Sequence, residues 1–118
     1  MTRMKIGYQF WLDYGHSLKG HPKCGRKHGH TAKILIEIEG TVKGGPTYRD
    51  HMLMDFDDLK KTCKSVLDHL DHEDLDRKFE FPSSENIAQW IFDELAKQVP
   101  VSRVTFYEGN GKWCTIER

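Results

Sequence analysis

His28 and His30, separated by one residue, form the pattern in this sequence that most directly indicates metal binding. Side chains at positions i and i+2 of a β-strand point to the same face, so both imidazoles can bind one ion. His16 lies on the matching face of the neighbouring predicted strand. Three imidazoles with one open coordination position are typical of catalytic zinc, whereas structural zinc has four protein ligands. We therefore predict a catalytic zinc site at His16, His28 and His30.

Cys24 lies four residues before His28 and forms the pattern C-x3-H-G-H. A thiolate can act as a base, a nucleophile or a metal ligand, and the nearby cations Lys23, Arg26 and Lys27 favour that form. Cys24 is therefore a candidate for proton transfer or for a fourth zinc ligand, and the spacing does not distinguish the two roles. A free structural cysteine is the third alternative.

Two Asp-His pairs, Asp68-His69 and Asp71-His72, lie at the end of the first predicted helix. A carboxylate beside an imidazole orients the ring and supports proton transfer. Histidines among acidic residues at a helix end are also common on ordinary surfaces. The pattern alone therefore selects neither pair as catalytic.

Glu108 ends a predicted strand on the same parity as the apolar Val104 and Phe106. Its carboxylate should therefore point where those apolar side chains point, and a carboxylate in such surroundings needs partners. A flat heterocycle with adjacent N–H donors would supply two parallel hydrogen bonds. Glu108 is a candidate substrate anchor, and the alternative is a solvated residue in the following turn.

Two strands must position the histidines and the cysteine. Apolar residues alternate from Ile6 to Tyr14 and again from Ala32 to Ile38, which is the period of half-buried strands. The first alternation extends to His16, and the second includes His28 and His30 on its apolar face. The polar segment between them, residues 17–27, contains Gly and Pro and is predicted to be a loop.

Two helices and a hairpin complete the chain. The first predicted helix is capped by Asp55 or Asp57, carries apolar residues at helical spacing, and ends near Asp71. The second starts at residues 82–84 and ends before Pro100. The last two predicted elements are strands over residues 101–108 and 112–117, joined by a tight turn at residues 109–111.

The element order β-β-α-α-β-β predicts an α+β fold with an antiparallel four-stranded sheet and two helices on one side. With 118 residues, the chain is expected to form a single domain over residues 1–118. Such a sheet has two free edges, which small proteins commonly cover with another subunit. We therefore expect a homo-oligomer.

Charge and cysteine content restrict the expected partners and compartment. Lys plus Arg and Asp plus Glu number 18 each, so no net charge attracts nucleic acid or an anionic membrane. We find no apolar run of signal-peptide or membrane-spanning length. Three cysteines without a C-x-x-C pair fit a reducing compartment, and we expect a cytoplasmic protein.

The order and spacing of these motifs resemble the 6-pyruvoyl-tetrahydropterin synthase family over nearly the whole chain. The resemblance implies the T-fold (tunnelling fold), in which subunits of four strands and two helices join into barrels, usually as a hexamer of two trimers. The motifs that carry it are Gly15-His16, Lys23-Cys24-Gly25-Arg26-Lys27-His28-Gly29-His30, Met54-Asp55-Phe56, Leu70-Asp71-His72 followed by Leu75, Pro82-Ser83-Ser84-Glu85-Asn86, and Glu108.

The resemblance also implies roles for individual residues. Leu75, three residues after His72, matches the family spacing and selects Asp71-His72 over Asp68-His69. Active sites of the family lie between subunits, so the cysteine and the Asp-His pair need not come from one chain. The implied roles are zinc binding by His16, His28 and His30, proton transfer by Cys24, Asp71 and His72, and substrate binding by Glu108, Ser83, Ser84, Lys23, Arg26 and Lys27.

The short gap in C-x3-H-G-H resembles the 6-carboxytetrahydropterin synthases of the queuosine pathway, whereas biopterin-pathway members have a longer gap. The implied reaction is a zinc-dependent lyase reaction. It converts 7,8-dihydroneopterin triphosphate to 6-carboxy-5,6,7,8-tetrahydropterin, with release of acetaldehyde and triphosphate. The three cations of the loop would contact the triphosphate.

Two positions depart from the family pattern. Ser83 replaces the usual threonine before the second helix, and Gly109 replaces the threonine that commonly follows the anchoring glutamate. Both positions bear on how the pterin ring is held. The alternative functions are a 6-pyruvoyl-tetrahydropterin synthase, a dihydroneopterin side-chain aldolase, or a non-catalytic pterin- or zinc-binding protein on the same scaffold.

Overall fold

One mixed sheet with two helices on one face makes up the fold. The structure is a computed structural model and describes residues 2–118. Within these residues the sheet has five strands in the order β3-β1-β2-β4-β5. Neighbouring strands are antiparallel except for β3, which runs parallel to β1. The elements are β1 (Arg3–His16), β2 (His28–Thr41), α1 (Phe56–Leu67), β3 (Glu73–Asp74), α2 (Ser84–Ala96), β4 (Val101–Glu108) and β5 (Trp113–Glu117).

The predicted α+β class and the order of the six main elements are confirmed. The two-residue strand β3 was not predicted, and it makes the sheet five-stranded instead of four-stranded within the described residues. It pairs with Tyr14 and Gly15 at the end of β1. No periodic pattern can reveal so short a strand, because alternation needs several residues to become visible.

Strands β1 and β2 form a long antiparallel hairpin that carries the candidate metal ligands. Their alternate residues are buried against the helices, as the period-two pattern predicts. The register places His16 opposite His28 and Tyr14 opposite His30. The three histidines therefore lie at the end of the hairpin that is connected by the loop over residues 17–27.

Helix α1 ends earlier than its sequence predicts. The Asp55 carboxylate accepts a hydrogen bond from the Asp57 amide (2.8 Å) and caps the first turn. The helix ends at Leu67, so the prediction that it runs to near Asp71 and His72 was wrong. Leu70 is fully buried from a turn after the helix, and its helical spacing in the sequence is therefore misleading.

Helix α2 and the final hairpin confirm the predicted boundaries closely. The Ser83 hydroxyl accepts from the Asn86 amide (3.2 Å) at the start of α2. Strands β4 and β5 are joined by a turn in which Gly109 and Gly111 have φ angles of 65° and 80°. These angles lie in the left-handed region that favours glycine. Among residues 2–118, no helix is long and apolar enough to cross a membrane.

The sheet face away from the helices carries exposed aromatic residues. Trp11 and Trp113 are each 63% exposed on this face. Tyr107 packs against Trp113, with ring centroids 5.8 Å apart, and the Lys33 ammonium lies 4.4 Å from the Tyr107 centroid. The hydrophobic core lies on the opposite face, between the sheet and both helices.

Candidate metal centre and active site

The three predicted metal ligands converge at the end of the β1–β2 hairpin. One ring nitrogen from each of His16, His28 and His30 lies within 4.8 Å of the others. His16 is almost fully buried, with 1% of its surface exposed, and the other two are half-buried. The period of the two strands and their register thus place all three side chains on one face.

Hydrogen bonds to backbone carbonyls orient two of these imidazoles. His16 Nδ1 lies 2.6 Å from the Pro82 carbonyl oxygen, and His28 Nδ1 lies 2.7 Å from the Arg26 carbonyl oxygen. A carbonyl oxygen only accepts, so both Nδ1 atoms carry the proton and both Nε2 atoms present a lone pair. These two Nε2 atoms are 2.9 Å apart. Two lone pairs at this distance repel each other unless a cation or a shared proton lies between them.

His30 contributes a buried nitrogen that has no partner among the described residues. Its Nε2 makes no hydrogen bond, although Glu108 Oε1 lies 3.7 Å away. Burial lowers the pKa of His30, and this effect together with His16 and His28 outweighs the Glu108 charge. The ring is therefore neutral, which is the form that binds metals. Because an unpaired buried nitrogen is costly, a metal ion fits the three histidines.

Glu108, at the end of β4, lies beside this cluster. Ser84 Oγ donates to Glu108 Oε2 at 2.7 Å, and the Lys112 ammonium lies 3.8 Å from Oε1. Burial alone would raise the pKa of Glu108, but the Ser84 hydrogen bond and nearby positive charge, including that of Lys112, lower it below its usual value. The carboxylate is therefore ionised, half-buried and able to accept further hydrogen bonds from a ligand.

The side chains of Asp71 and His72 are in contact directly before β3. His72 Nδ1 lies 3.0 Å from Asp71 Oδ2, and its Nε2 lies 3.7 Å from Asp13 Oδ2. The backbone of Asp13 holds this pair. Its amide donates to Asp71 Oδ1 (3.0 Å), and its carbonyl accepts from the His72 amide (2.6 Å). His72 has φ +60°, an uncommon value for a residue other than glycine, and these contacts stabilise it.

Cys24 lies in the loop over residues 17–27, which is closed by its own hydrogen bonds. His21 Nδ1 accepts from the amides of Lys23 (3.0 Å) and Cys24 (2.8 Å), and the Leu18 amide donates to the Cys24 carbonyl (2.8 Å). Cys24, Ser83, Ser84 and Glu108 line one cavity of about 290 Å³, which we call the cysteine cavity.

A second and larger cavity contains His72. This histidine cavity has a volume of about 750 Å³ and is lined by residues that include His28, His30, Asp13 and His72. Cys24 does not line it. Within the described residues, one chain therefore brings Glu108 and Cys24 to one cavity and His72 to another, with the histidine cluster beside both.

The three loop cations are placed differently from one another. The Lys27 ammonium lies 2.7 Å from Asp74 Oδ1 and 2.5 Å from Asp76 Oδ2, so its charge is already paired. Lys23 and Arg26 are exposed on the loop surface. Lys23 and Arg26 are therefore accessible to an anion, whereas Lys27 binds Asp74 and Asp76 of the same chain.

Four residues around the site were not identified from the sequence: His21, Asp76, Asp13 and Tyr14. His21 and Asp76 hold the loop over residues 17–27, and Asp13 lies beside His72. Tyr14 is 4% exposed, and its hydroxyl has no hydrogen-bond partner among the described residues. Burial raises the pKa of Tyr14 well above its usual range. Of these four residues, only His21 could have been suspected from the sequence, because it lies three residues before Cys24 of the C-x3-H-G-H motif.

Comparisons with known proteins identify relatives of this chain. A model of the family described as 6-pyruvoyl tetrahydropterin synthase matches residues 5–118. A protein of Archaeoglobus fulgidus, provisionally named 6-carboxy-5,6,7,8-tetrahydropterin synthase, is 43% identical over 98% of this chain and 96% of its own length. The dihydroneopterin monophosphate aldolase of Pyrococcus furiosus is 33% identical over 92% of each chain.

A solved structure gives the same result for the fold. The 6-pyruvoyl tetrahydropterin synthase of Caenorhabditis elegans superposes with a TM-score of 0.87 at 25% identity, covering 100% of this chain and 97% of that one. The predicted T-fold is therefore confirmed. With a family model that covers almost the whole chain and relatives of similar length, this chain belongs to the 6-pyruvoyl tetrahydropterin synthase family, whose members are lyases that act on pterins.

Proposed function

We propose that this protein is a 6-carboxytetrahydropterin synthase. It converts 7,8-dihydroneopterin triphosphate and water to 6-carboxy-5,6,7,8-tetrahydropterin, acetaldehyde and triphosphate, as one domain over residues 1–118. The observation that carries the proposal is the cluster of three imidazole nitrogens beside the ionised Glu108. The short C-x3-H-G-H motif and the 43% identical relative support this branch of the family.

Zinc is the metal that these residues suit best. Neutral imidazoles are good ligands for zinc, and His16, His28 and His30 leave a coordination position for substrate. When bound there, zinc would supply a Lewis acid that polarises oxygen groups of the substrate side chain. The carbonyls of Pro82 and Arg26 fix two of the rings, as outer partners of metal-binding histidines usually do.

Glu108 anchors the pterin ring in this proposal. Its ionised carboxylate can accept two parallel hydrogen bonds from adjacent N–H groups of a pterin. Ser84 orients that carboxylate, and Ser83 fixes the start of α2 beside it. The two serines therefore shape the pterin site mainly through Glu108 and the helix. Lys23 and Arg26, which are exposed, are the candidate contacts for the triphosphate.

Proton transfer is assigned to Cys24, Asp71 and His72. Asp71 contacts His72 Nδ1, so Nε2 of His72, a residue that lines the histidine cavity, is the nitrogen that would exchange protons with the substrate. Cys24 lies in the other cavity of the same chain. A complete set therefore needs Cys24 of one subunit and Asp71-His72 of another, which is the arrangement that the family resemblance implies.

An oligomer also explains the surfaces that one chain leaves uncovered. Strand β3 pairs only with Tyr14 and Gly15, so the described part of β1 before them has an unpaired outer edge. Trp11 and Trp113 are exposed on the face opposite the helices. Because sheet edges and aromatic faces are commonly covered by other subunits, we propose a homo-oligomer, with a hexamer as the expected form.

The second candidate function is a dihydroneopterin side-chain aldolase, which is favoured by the 33% identity to the Pyrococcus furiosus aldolase. Both functions use a pterin and the same site.

We propose to strip the protein of metal, reload it with zinc, and follow the consumption of dihydroneopterin triphosphate. Activity that returns with zinc supports the proposal, and full activity of the metal-free protein contradicts it. A pterin that is bound but never consumed would indicate a non-catalytic binding protein.

A further inference from the structure

The carboxylate of Asp76 makes three hydrogen bonds that join distant parts of the chain. It accepts from the Ser17 amide at Oδ1 (2.8 Å), from the Ser17 hydroxyl at Oδ2 (2.5 Å) and from the Lys27 ammonium at Oδ2 (2.5 Å). Asp74 binds the same ammonium at 2.7 and 2.8 Å and accepts from the Asp76 amide at 3.1 Å. Both ends of the loop over residues 17–27 are thus held by one side chain.

These two ends lie next to metal ligands. Ser17 directly follows His16, and Lys27 directly precedes His28. Adjacent Cα atoms are about 3.8 Å apart, so a contact that holds Ser17 and Lys27 also restricts the backbone positions of His16 and His28. The same loop carries Cys24, whose carbonyl accepts from the Leu18 amide inside it.

Asp76 lies on the same chain segment as Asp71 and His72. It lies four residues after His72 and directly after Leu75, which is fully buried in the core. The side chain of Asp76 is 25% exposed. Burial alone would raise the pKa of Asp76, but hydrogen bonds from Lys27 and Ser17 lower it to about 2. The contact is therefore made by an ionised carboxylate, and such charge-assisted bonds are the stronger ones.

We propose that Asp76 is a positioning residue for the metal centre. It fixes the spacing of His16 and His28 and holds the loop of Cys24 against the segment that carries Asp71 and His72. This inference deepens the proposed function and rests on it, because it concerns the zinc site. It also gives Lys27 a role as the partner of Asp76 and Asp74, in place of the triphosphate contact that the family resemblance implies.

The expected consequence is a loss of metal affinity without a loss of metal ligands. His16 and His28 also face each other as the last pair of the β1–β2 hairpin. Releasing the loop ends frees this end of the hairpin, and the two side chains can then separate, since their Nε2 atoms are 2.9 Å apart and repel each other without a cation. The metal-free protein then loses more conformational entropy when the metal binds, and this loss weakens the binding. Outer partners of metal ligands typically contribute about ten- to a hundredfold to affinity, and we expect a loss of about tenfold for Asp76→Ala.

The test measures zinc affinity by competition with a chromophoric chelator for the wild type, Asp76→Ala and Asp76→Asn. Asp68→Asn is the matched control, because Asp68 forms an ion pair with Lys64 (3.7 Å) on α1. Visible absorption of Co²⁺-loaded protein reports the coordination geometry. We expect weaker zinc binding and an altered Co²⁺ spectrum in both Asp76 variants and unchanged values in the control. Asp76→Asn, which keeps the size of the side chain, provides the test if Asp76→Ala does not fold.

The outcomes separate this inference from the proposed function. Zinc affinity and a Co²⁺ spectrum equal to those of the wild type in the Asp76 variants would overturn the positioning role and leave the proposed function standing. A wild-type protein that binds no zinc would overturn both. Equal losses in Asp68→Asn and the Asp76 variants would show a general effect of removing surface charge, and would also overturn the positioning role.

Discussion

Replacing Cys24 with alanine separates the proposed proton-transfer role of this residue from a role as metal ligand. In the structure, the atoms that cluster within 4.8 Å of one another come from His16, His28 and His30, and this cluster does not include Cys24 among the described residues. Cys24 instead lines the cysteine cavity with Glu108. Cys24→Ala should therefore keep its zinc and still bind the pterin.

The expected size of the effect follows from the proposed chemistry. A positioned acid or base usually contributes about 10²–10⁴ in rate, which corresponds to about 3–5 kcal/mol of transition-state stabilisation. Cys24 lies in a surface loop and is half-buried, so its truncation should leave folding stability nearly unchanged. A fall in kcat with KM, zinc content and melting temperature preserved is the specific expectation.

The assay compares Cys24→Ala with Cys114→Ala, since Cys114 lines the same cavity and is also a free, half-buried thiol. Burial raises the pKa of Cys114, which makes it a poor thiolate and a suitable control. Zinc per chain, pterin binding and turnover are measured on each variant. If Cys24→Ala loses zinc, and activity returns with excess metal, Cys24 is a ligand and the assignment is wrong. A wild-type turnover rate in Cys24→Ala would refute both roles.

Four further outcomes are expected. His30→Ala should lose zinc and activity together, and full zinc occupancy measured by atomic absorption would contradict the assigned site. His72→Ala should keep zinc and lose about 10²–10⁴ in turnover, while His69→Ala, the histidine of the duplicate pair, should turn over normally. Glu108→Gln should raise KM about ten- to a hundredfold, since hydrogen bonds to a charged group contribute about 1.5–3 kcal/mol; an unchanged KM would exclude the anchor. Light scattering should show an assembly larger than a dimer, and a fully active monomer would contradict a site between subunits.

The histidine cluster was predictable from the sequence because strand geometry is regular. Alternation fixed the face of β1 and β2, and His16, His28 and His30 share that face by parity alone. The same reasoning placed Glu108 on the buried parity of β4, where its carboxylate lies beside His30. The starting point of α2 was also predictable, since the Ser83 cap is a local signal.

Contacts between residues far apart in the sequence were not predictable. Lys27 and Asp76 lie 49 residues apart, and no local pattern indicates their ion pair. The same is true of the Asp71 carboxylate, which accepts from the backbone of Asp13, 58 residues away. The early end of α1 was missed because Leu70 satisfies helical spacing while lying in a turn. Tertiary packing decided each of these features, and periodicity reports only on neighbours along the chain.

The products formed from dihydroneopterin triphosphate distinguish the proposed reaction from its alternatives. The zinc-loaded protein is incubated with this substrate, the pterin product is identified by mass, and acetaldehyde and triphosphate are quantified. The proposed function predicts 6-carboxy-5,6,7,8-tetrahydropterin with equal amounts of acetaldehyde and triphosphate. A pyruvoyl pterin without acetaldehyde, or a shortened pterin with an aldol fragment, would contradict it and would assign the protein to another branch of its family.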